Sequence, residues 1–276
     1  MNLFLLPSEA NRCDFLPLAP HILASATTPN NTHPLTNINM MPPIYPSTLA
    51  DLLGPKDTKK LSDKDANLKL YCKGKLPIPL PQPRAAIVGS RNPSPKGIET
   101  AYLISQTLAD RRIIVASGLA EGIDTAAHKA AIEAHGYTLA VLATPIDQVY
   151  PQKNRPLQQV IMQKHLAVSQ FPSGTQIKPE NFLLRNQTLA QLTHTSIIIE
   201  AKENSGTLNH ARHTLKLGHP LYIYQPLNQN QLWVKPLLAA GATLFTDPKK
   251  ILEKLPPQHN GGINSIDESE LFSWRR

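Results

Sequence analysis

The chain has 276 residues, with 28 Lys and Arg against 20 Asp and Glu for a formal net charge of +8, 26 Pro and only 2 Cys. A chain of this length supports a core without staples, and Cys13 and Cys72, outside any CxxC or Cys/His spacing, exclude a disulfide scaffold and a zinc domain. The longest apolar runs, such as Leu139 to Ala143, fall far short of the ~20 residues that span a bilayer.

The first residues lack the basic region of a secretory signal, and Pro7 breaks their apolar stretch, so a cytoplasmic location without a membrane partner is expected. Half of the prolines, 13 of 26, lie before Ala85. Residues 1–44 are rich in Pro, Asn and Thr without periodicity, and little fixed structure is expected there. Residues 45–84 hold a short element and then KLPIPLPQPR, whose alternating prolines favour a stiff connection, so a domain boundary is expected just before Ala85. Residues 85–256 read as one α/β domain, and 257–276 as a tail resembling a short acidic helix or an interaction peptide.

Within 85–256, short apolar runs recur at Ala85 to Val88, Ile113 to Ala116, Thr138 to Leu142, Leu166 to Ser169, Ser196 to Glu200 and Leu221 to Tyr224. Helical patterns fill the intervals at Gly97 to Asp110, Asp124 to His135, Pro156 to Lys164, Phe182 to Leu192 and Thr207 to Leu217. The alternation predicts an open, mostly parallel sheet with helices on both faces. Ligands of such sheets bind beyond the carboxyl ends of the strands, so function is expected in the loops that follow them.

The first loop, VGSRNPSPKG, has neither the GxGxxG of a dinucleotide site nor GxxxxGK[ST], so no nucleotide cofactor is expected. Gly89, Ser90 and Arg91 ahead of a helix suit a phosphate oxygen, because Arg forks onto two oxygens and a helix N-terminus adds positive charge; a solvated turn reads the same. In the second loop, SGLAEGIDTAAH, Ser117 and Gly118 make a donor-rich turn, and Asp124 and His128 share a helix face. No Ser or Cys nucleophile accompanies them, so Asp124 reads as a structural N-cap and His128 as a packing or hydrogen-bonding residue under the loop.

The third loop groups Tyr150, Lys153 and Asn154, a set able to stack a base and hold its phosphate. The fourth leads to Phe182, read first as a core residue of its helix, and to Arg185 and Asn186, with Arg185 an anion contact. The fifth follows Glu200 and enters a helix through Ser205, Gly206 and Thr207, again a turn suited to an anion.

In order and spacing, VGSR…S…G, SGLAEGIDTAAH, ID..YP..N, F..RN and EA...SGTL resemble the DNA-processing protein A family, DprA or Smf, over roughly Tyr45 to Leu252. The resemblance implies an extended Rossmann-like domain that binds single-stranded DNA without strong sequence preference and without catalysis, cofactor or metal. It also implies a homodimer that protects single strands and loads the RecA recombinase in natural transformation. By matching motif, Ser90 and Arg91 would contact phosphates, Lys153 and Asn154 would border the groove, and Phe182 and Arg185 would lie beside it. Ser117, Gly118 and Ser205 to Thr207 would complete its floor, Glu200 being structural. The chain departs from the family pattern at Gln187, Gln170 and Ala143-Thr144-Pro145, and too little chain follows Leu255 for a winged-helix module.

A second reading comes from the same sheet, which is similar to that of the Lonely Guy phosphoribohydrolases. Their nucleotide-hydrolysing turn is followed by a catalytic Glu, whereas here Leu208, Asn209 and His210 follow SGT. That reading therefore lacks its acid or base.

Overall fold

The computed structural model describes residues 42–254, Lys60 excepted; the expectations for residues 1–41 and 255–276 lie outside the described residues. The chain opens with β1 (Tyr45–Thr48), α1 (Leu49–Thr58), α2 (Asp63–Ala66) and β2 (Lys69–Gly74). Alternation then begins with β3 (Arg84–Val88), α3 (Pro95–Asp110), β4 (Ile114–Ser117), α4 (Ile123–Glu133) and β5 (Thr138–Leu142). It continues through α5 (Arg155–Lys164), β6 (Leu166–Ser169), α6 (Pro179–Gln191), β7 (Thr195–Ile198), α7 (Gly206–Lys216) and β8 (Leu221–Tyr224). The last elements are α8 (Gln225–Asn228), α9 (Val234–Ala239), β9 (Thr243–Phe245) and α10 (Ile251–Lys254).

The strands form one sheet in the order β1-β2-β6-β5-β4-β3-β7-β8-β9. Only β1 with β2 and β2 with β6 are antiparallel; the other pairs are parallel. Strands β3 to β8, the six read from the sequence, are buried along their whole length, which is why they appear as continuous apolar runs rather than alternating ones. Successive residues still serve opposite faces. Ala85, Ile87, Val115 and Ile197 pack with Ile104 and Leu108 of α3 and Ala127 of α4. Ala86, Val88, Leu139 and Ile198 pack with Leu52 of α1, Leu189 of α6 and Leu208 of α7. The sheet is therefore covered by helices on both sides, and its loops gather at its two ends. No helix among the described residues is long and apolar enough to cross a membrane.

Residues 45–84 correct the expected boundary. They are not a separate element and linker, because β1 and β2 extend the same sheet and Leu49, Leu70, Cys72, Leu76 and Leu80 sit in the same core cluster as the inner strands. Arg84, the first residue of β3 and wholly buried, fastens this segment down. Its Nε donates to the Leu192 carbonyl (2.7 Å), Nη1 to the carbonyls of Leu80 (2.9 Å) and Pro81 (3.1 Å), and Nη2 to the Asp57 carboxylate (2.8 Å). His194 Nδ1 accepts from the Arg84 amide (3.1 Å), so the ring's proton is on Nε2, which donates to Asp57 (3.0 Å).

Burial raises the Asp57 pKa, but hydrogen bonds from His194 and Arg84 and the Arg84 charge outweigh it and hold the carboxyl at about 2, below its ordinary 3.8. A depressed carboxyl stabilises the fold above its unfolded pKa, and that contribution is lost as pH falls through the folded value. Nearly two pKa units correspond to about 2 kcal/mol. Urea unfolding of the wild type should therefore lose about 2 kcal/mol more than Asp57→Asn between pH ~5 and ~2; parallel pH profiles would contradict this network.

Candidate nucleic-acid interface

Strand β3 lies between β4 and β7, so the chain winds away from it in one direction and later resumes on its other side. At such a switch point the loops diverge and leave a crevice beyond the carboxyl ends of the strands. A cleft of about 410 Å³ lies there, lined after β3 by Gly89, Ser90, Arg91 and Asn92 and after β7 by Lys202, Ser205, Gly206 and Thr207. Arg185 and Asn186 of α6, Asp124 of α4 and His210 of α7 complete it. Eight of the binding candidates from the sequence thus meet in one cleft: Gly89, Ser90, Arg91, Arg185, Asn186, Ser205, Gly206 and Thr207. Sequence reasoning missed Asn92, Lys202 and His210, since an isolated polar residue in a polar loop or on a helix carries no spacing signal.

The two helix N-termini at this cleft differ. That of α3 is occupied by the protein itself: Glu200 accepts from the Ser94 amide (2.9 Å) and hydroxyl (2.7 Å), while Ser94 Oγ caps Gly97 N (3.1 Å). That of α7 is open, because Ser205 makes no side-chain cap bond and its Oγ is buried without a partner among the described residues. Asn186 Nδ2 donates to the Gly206 carbonyl (2.9 Å) and Thr207 Oγ1 to the Gly89 carbonyl (3.2 Å), fixing this turn against its neighbours. Behind it, burial pushes His210 down to about 4. The ring is therefore neutral at pH 7, and because the Asn186 carbonyl only accepts (3.1 Å), the proton sits on Nδ1 and Nε2 faces the Ser196 hydroxyl (2.9 Å).

The floor is cationic and buried. Arg185 Nη1 donates to the Val141 carbonyl (3.3 Å) and lies 3.8 Å from the Asp124 carboxylate, and its Nε has no partner among the described residues. Burial raises the Asp124 pKa, against the charge of Arg185 and backbone hydrogen bonds from Ala120 and Gly118. Gly118 makes room for the guanidinium, since a Cβ there would stand 1.2 Å from Arg185 Nη1. Asp124 is not the N-cap expected. The N-cap of α4 is Gly122, whose φ of +76° suits glycine, and Asp124, the second residue of the helix, turns inward to accept from the Ala120 amide (3.3 Å).

Other assignments also change. Ser117 is buried and does not line this cleft, its hydroxyl donating to the Ile87 carbonyl (2.6 Å) to tie β4 to β3. Asn154 is buried rather than at the groove's border. Its amide donates to the carbonyls of Leu119 (2.9 Å) and Ala120 (3.3 Å) and to Thr125 Oγ1 (2.8 Å), holding Leu119 in a left-handed conformation with φ +55°. Lys153 lines neither cleft and is paired with Glu121 at 2.5 Å. His128 is buried, with Nδ1 2.6 Å from Thr138 Oγ1, and burial pushes its pKa down to about 3.

A second cleft of about 240 Å³ adjoins the first, sharing Arg91, Asn92 and Ala120. Gly118, Glu121, Leu142, Thr144, Tyr150 and Phe182 line the rest. Phe182 is not a core residue: α6 begins at Pro179, so Phe182 sits in its first turn facing the loops, and Leu189 takes the core position. Its ring meets Tyr150 edge-on (centroids 5.6 Å apart), and the Arg91 guanidinium lies 5.0 Å above it.

A profile of the family "DNA recombination-mediator protein A" matches residues 39–256. The chain is 39% identical over 158 residues to DNA processing protein DprA of Streptococcus pneumoniae, covering 57% of this chain and 55% of that protein. It is 35% identical over 176 residues to Protein Smf of Escherichia coli, covering 62% and 46%. The crystallographic DprA of S. pneumoniae superposes with a TM-score of 0.67 at 31% identity, over 78% of this chain and 75% of that one. DNA processing protein A from Helicobacter pylori, a structure concerned with that protein's single-stranded DNA binding mode, gives 0.65 at 27%, over 78% and 97%. The chain spans about half the length of the curated relatives it matches. It belongs to the DNA recombination-mediator protein A family.

Substituting Gly118→Ala must displace Arg185 and strand Asp124 as a buried, unpaired carboxylate. Chemical denaturation should show a loss of about 3 kcal/mol, and adding Arg185→Met to Gly118→Ala should cost little more. Full additivity of the two substitutions would show that they do not share one contact.

Proposed function

We propose that the chain is a nonenzymatic cytoplasmic protein that binds single-stranded DNA across the two joined clefts, protects it, and as a homodimer loads RecA during natural transformation and recombination. The observation that carries the reading is the continuity of an anion site and an aromatic site through Arg91. An open helix N-terminus and two guanidiniums suit a phosphate, and Tyr150 and Phe182 beside them offer faces on which an unpaired base stacks. A duplex keeps its bases stacked and paired, so the aromatic cleft favours single strands. The family membership and the printed binding mode of the H. pylori relative support the same reading.

The hydrolase reading finds no support in the cleft. Asp124 is its only carboxylate-bearing lining residue, and it is engaged by Arg185 and the Ala120 amide. Behind the SGT turn, Leu208 is core and His210 is held neutral between Asn186 and Ser196.

Fluorescence anisotropy with a labelled oligothymidine should show Arg91→Ala binding at least about tenfold more weakly, or ~1.4 kcal/mol. Wild-type affinity should fall with salt at a log–log slope of about −0.7 per phosphate neutralised. Unlabelled duplex should compete poorly. Unchanged affinity in Arg91→Ala, or a flat salt titration, would contradict the phosphate site.

A further inference from the structure

We propose that the second cleft reads the exocyclic group of one unpaired base, with Glu121 favouring an amino-bearing base such as cytosine over thymine. This rests on the single-strand reading above. Because Arg91, Asn92 and Ala120 line both clefts, a phosphate held in the first leaves its base at the mouth of the second. Leu142, Tyr150 and Phe182 supply apolar surface for the ring face, so discrimination falls to the polar groups that meet the ring edge.

Those groups are biased towards acceptors. Glu121 lines only the second cleft; its Oε2 pairs with Lys153, and Oε1 has no hydrogen-bond partner among the described residues. A carboxylate only accepts. The neighbouring backbone donors are turned away, since the amides of Gly118 and Ala120 both donate to Asp124. The Thr144 hydroxyl proton is directed at the Gln148 carbonyl (3.3 Å). Of the side-chain donors on this cleft, Arg91 and Asn92 stand on the wall shared with the phosphate site, and the Tyr150 hydroxyl both donates and accepts, so it favours neither base. Cytosine offers its N4 amino group where thymine offers the O4 carbonyl. The first satisfies the free carboxylate oxygen, and the second sets oxygen against oxygen.

The test compares labelled oligo(dC) and oligo(dT) of equal length by anisotropy, at mildly alkaline pH where cytosine is neutral. Wild type should bind oligo(dC) about fivefold more tightly, a modest value for a charge-assisted hydrogen bond at a half-exposed site. In Glu121→Gln, whose amide both donates and accepts, the ratio should fall towards one whatever happens to absolute affinity. Lys153→Gln breaks the same ion pair but keeps the carboxylate, and should retain the preference. Equal binding of the two strands by wild type, an unchanged ratio in Glu121→Gln, or a preference lost in Lys153→Gln would overturn the inference while leaving single-strand binding intact. Failure to bind either strand would instead refute the parent reading, and this one with it.

Discussion

The cleft depends on burying the guanidinium of Arg185 at the carboxyl edge of the sheet. A buried charge is tolerated only when paired and hydrogen-bonded, and three separate elements meet that demand. Asp124 from α4 supplies the counter-charge, Val141 at the end of β5 supplies a carbonyl, and Gly118 supplies space by having no side chain. The loop around Gly118 is shaped to suit, with Leu119 held in the left-handed region by the Asn154 amide. One cation thereby fixes the relative positions of the loops after β4 and β5 and of α6.

Such a cation is preorganised. On the proposed reading, Arg185 would lose little rotamer freedom on meeting an anion, whereas Arg91 at the exposed rim would exchange the Phe182 face for a phosphate. Two carboxylates near the first cleft are kept from competing: Glu200 caps α3 and Asp124 is engaged by Arg185. The N-terminus of α7 carries no side-chain cap, and there the proposed anion would complete the arrangement. The overall positive charge acts at longer range, steering polyanions towards the surface without choosing among them.

The sheet was legible because buried parallel strands must be apolar along their length and must alternate with helices, leaving an unmistakable pattern from Ala85 to Tyr224. Strand β2 was also written in the sequence, with Leu70 and Cys72 inward and alternating with the less buried Lys69, Tyr71 and Lys73, but the pattern is short and the prolines that follow it resemble a linker. At the site, glycine-containing turns before helices marked by position the loops that line the cleft. The direction of a polar side chain was not legible. Ser117 and Asn154 carry the same groups whether they face a ligand or a backbone carbonyl, and only the approach of β3 and of the loop at Leu119 decides it. Asp124 misled for a related reason, since a glycine two residues earlier had already begun the helix.

The most direct test is amide hydrogen exchange followed with and without a saturating single-stranded oligonucleotide. If the switch-point cleft is the interface, protection should concentrate in residues 89–92, 117–122 and 205–208, and the opposite end of the sheet around residues 111–113 and 135–137 should be unaffected. Protection confined to that opposite end, or none in the three loops while the strand is bound, would contradict the account.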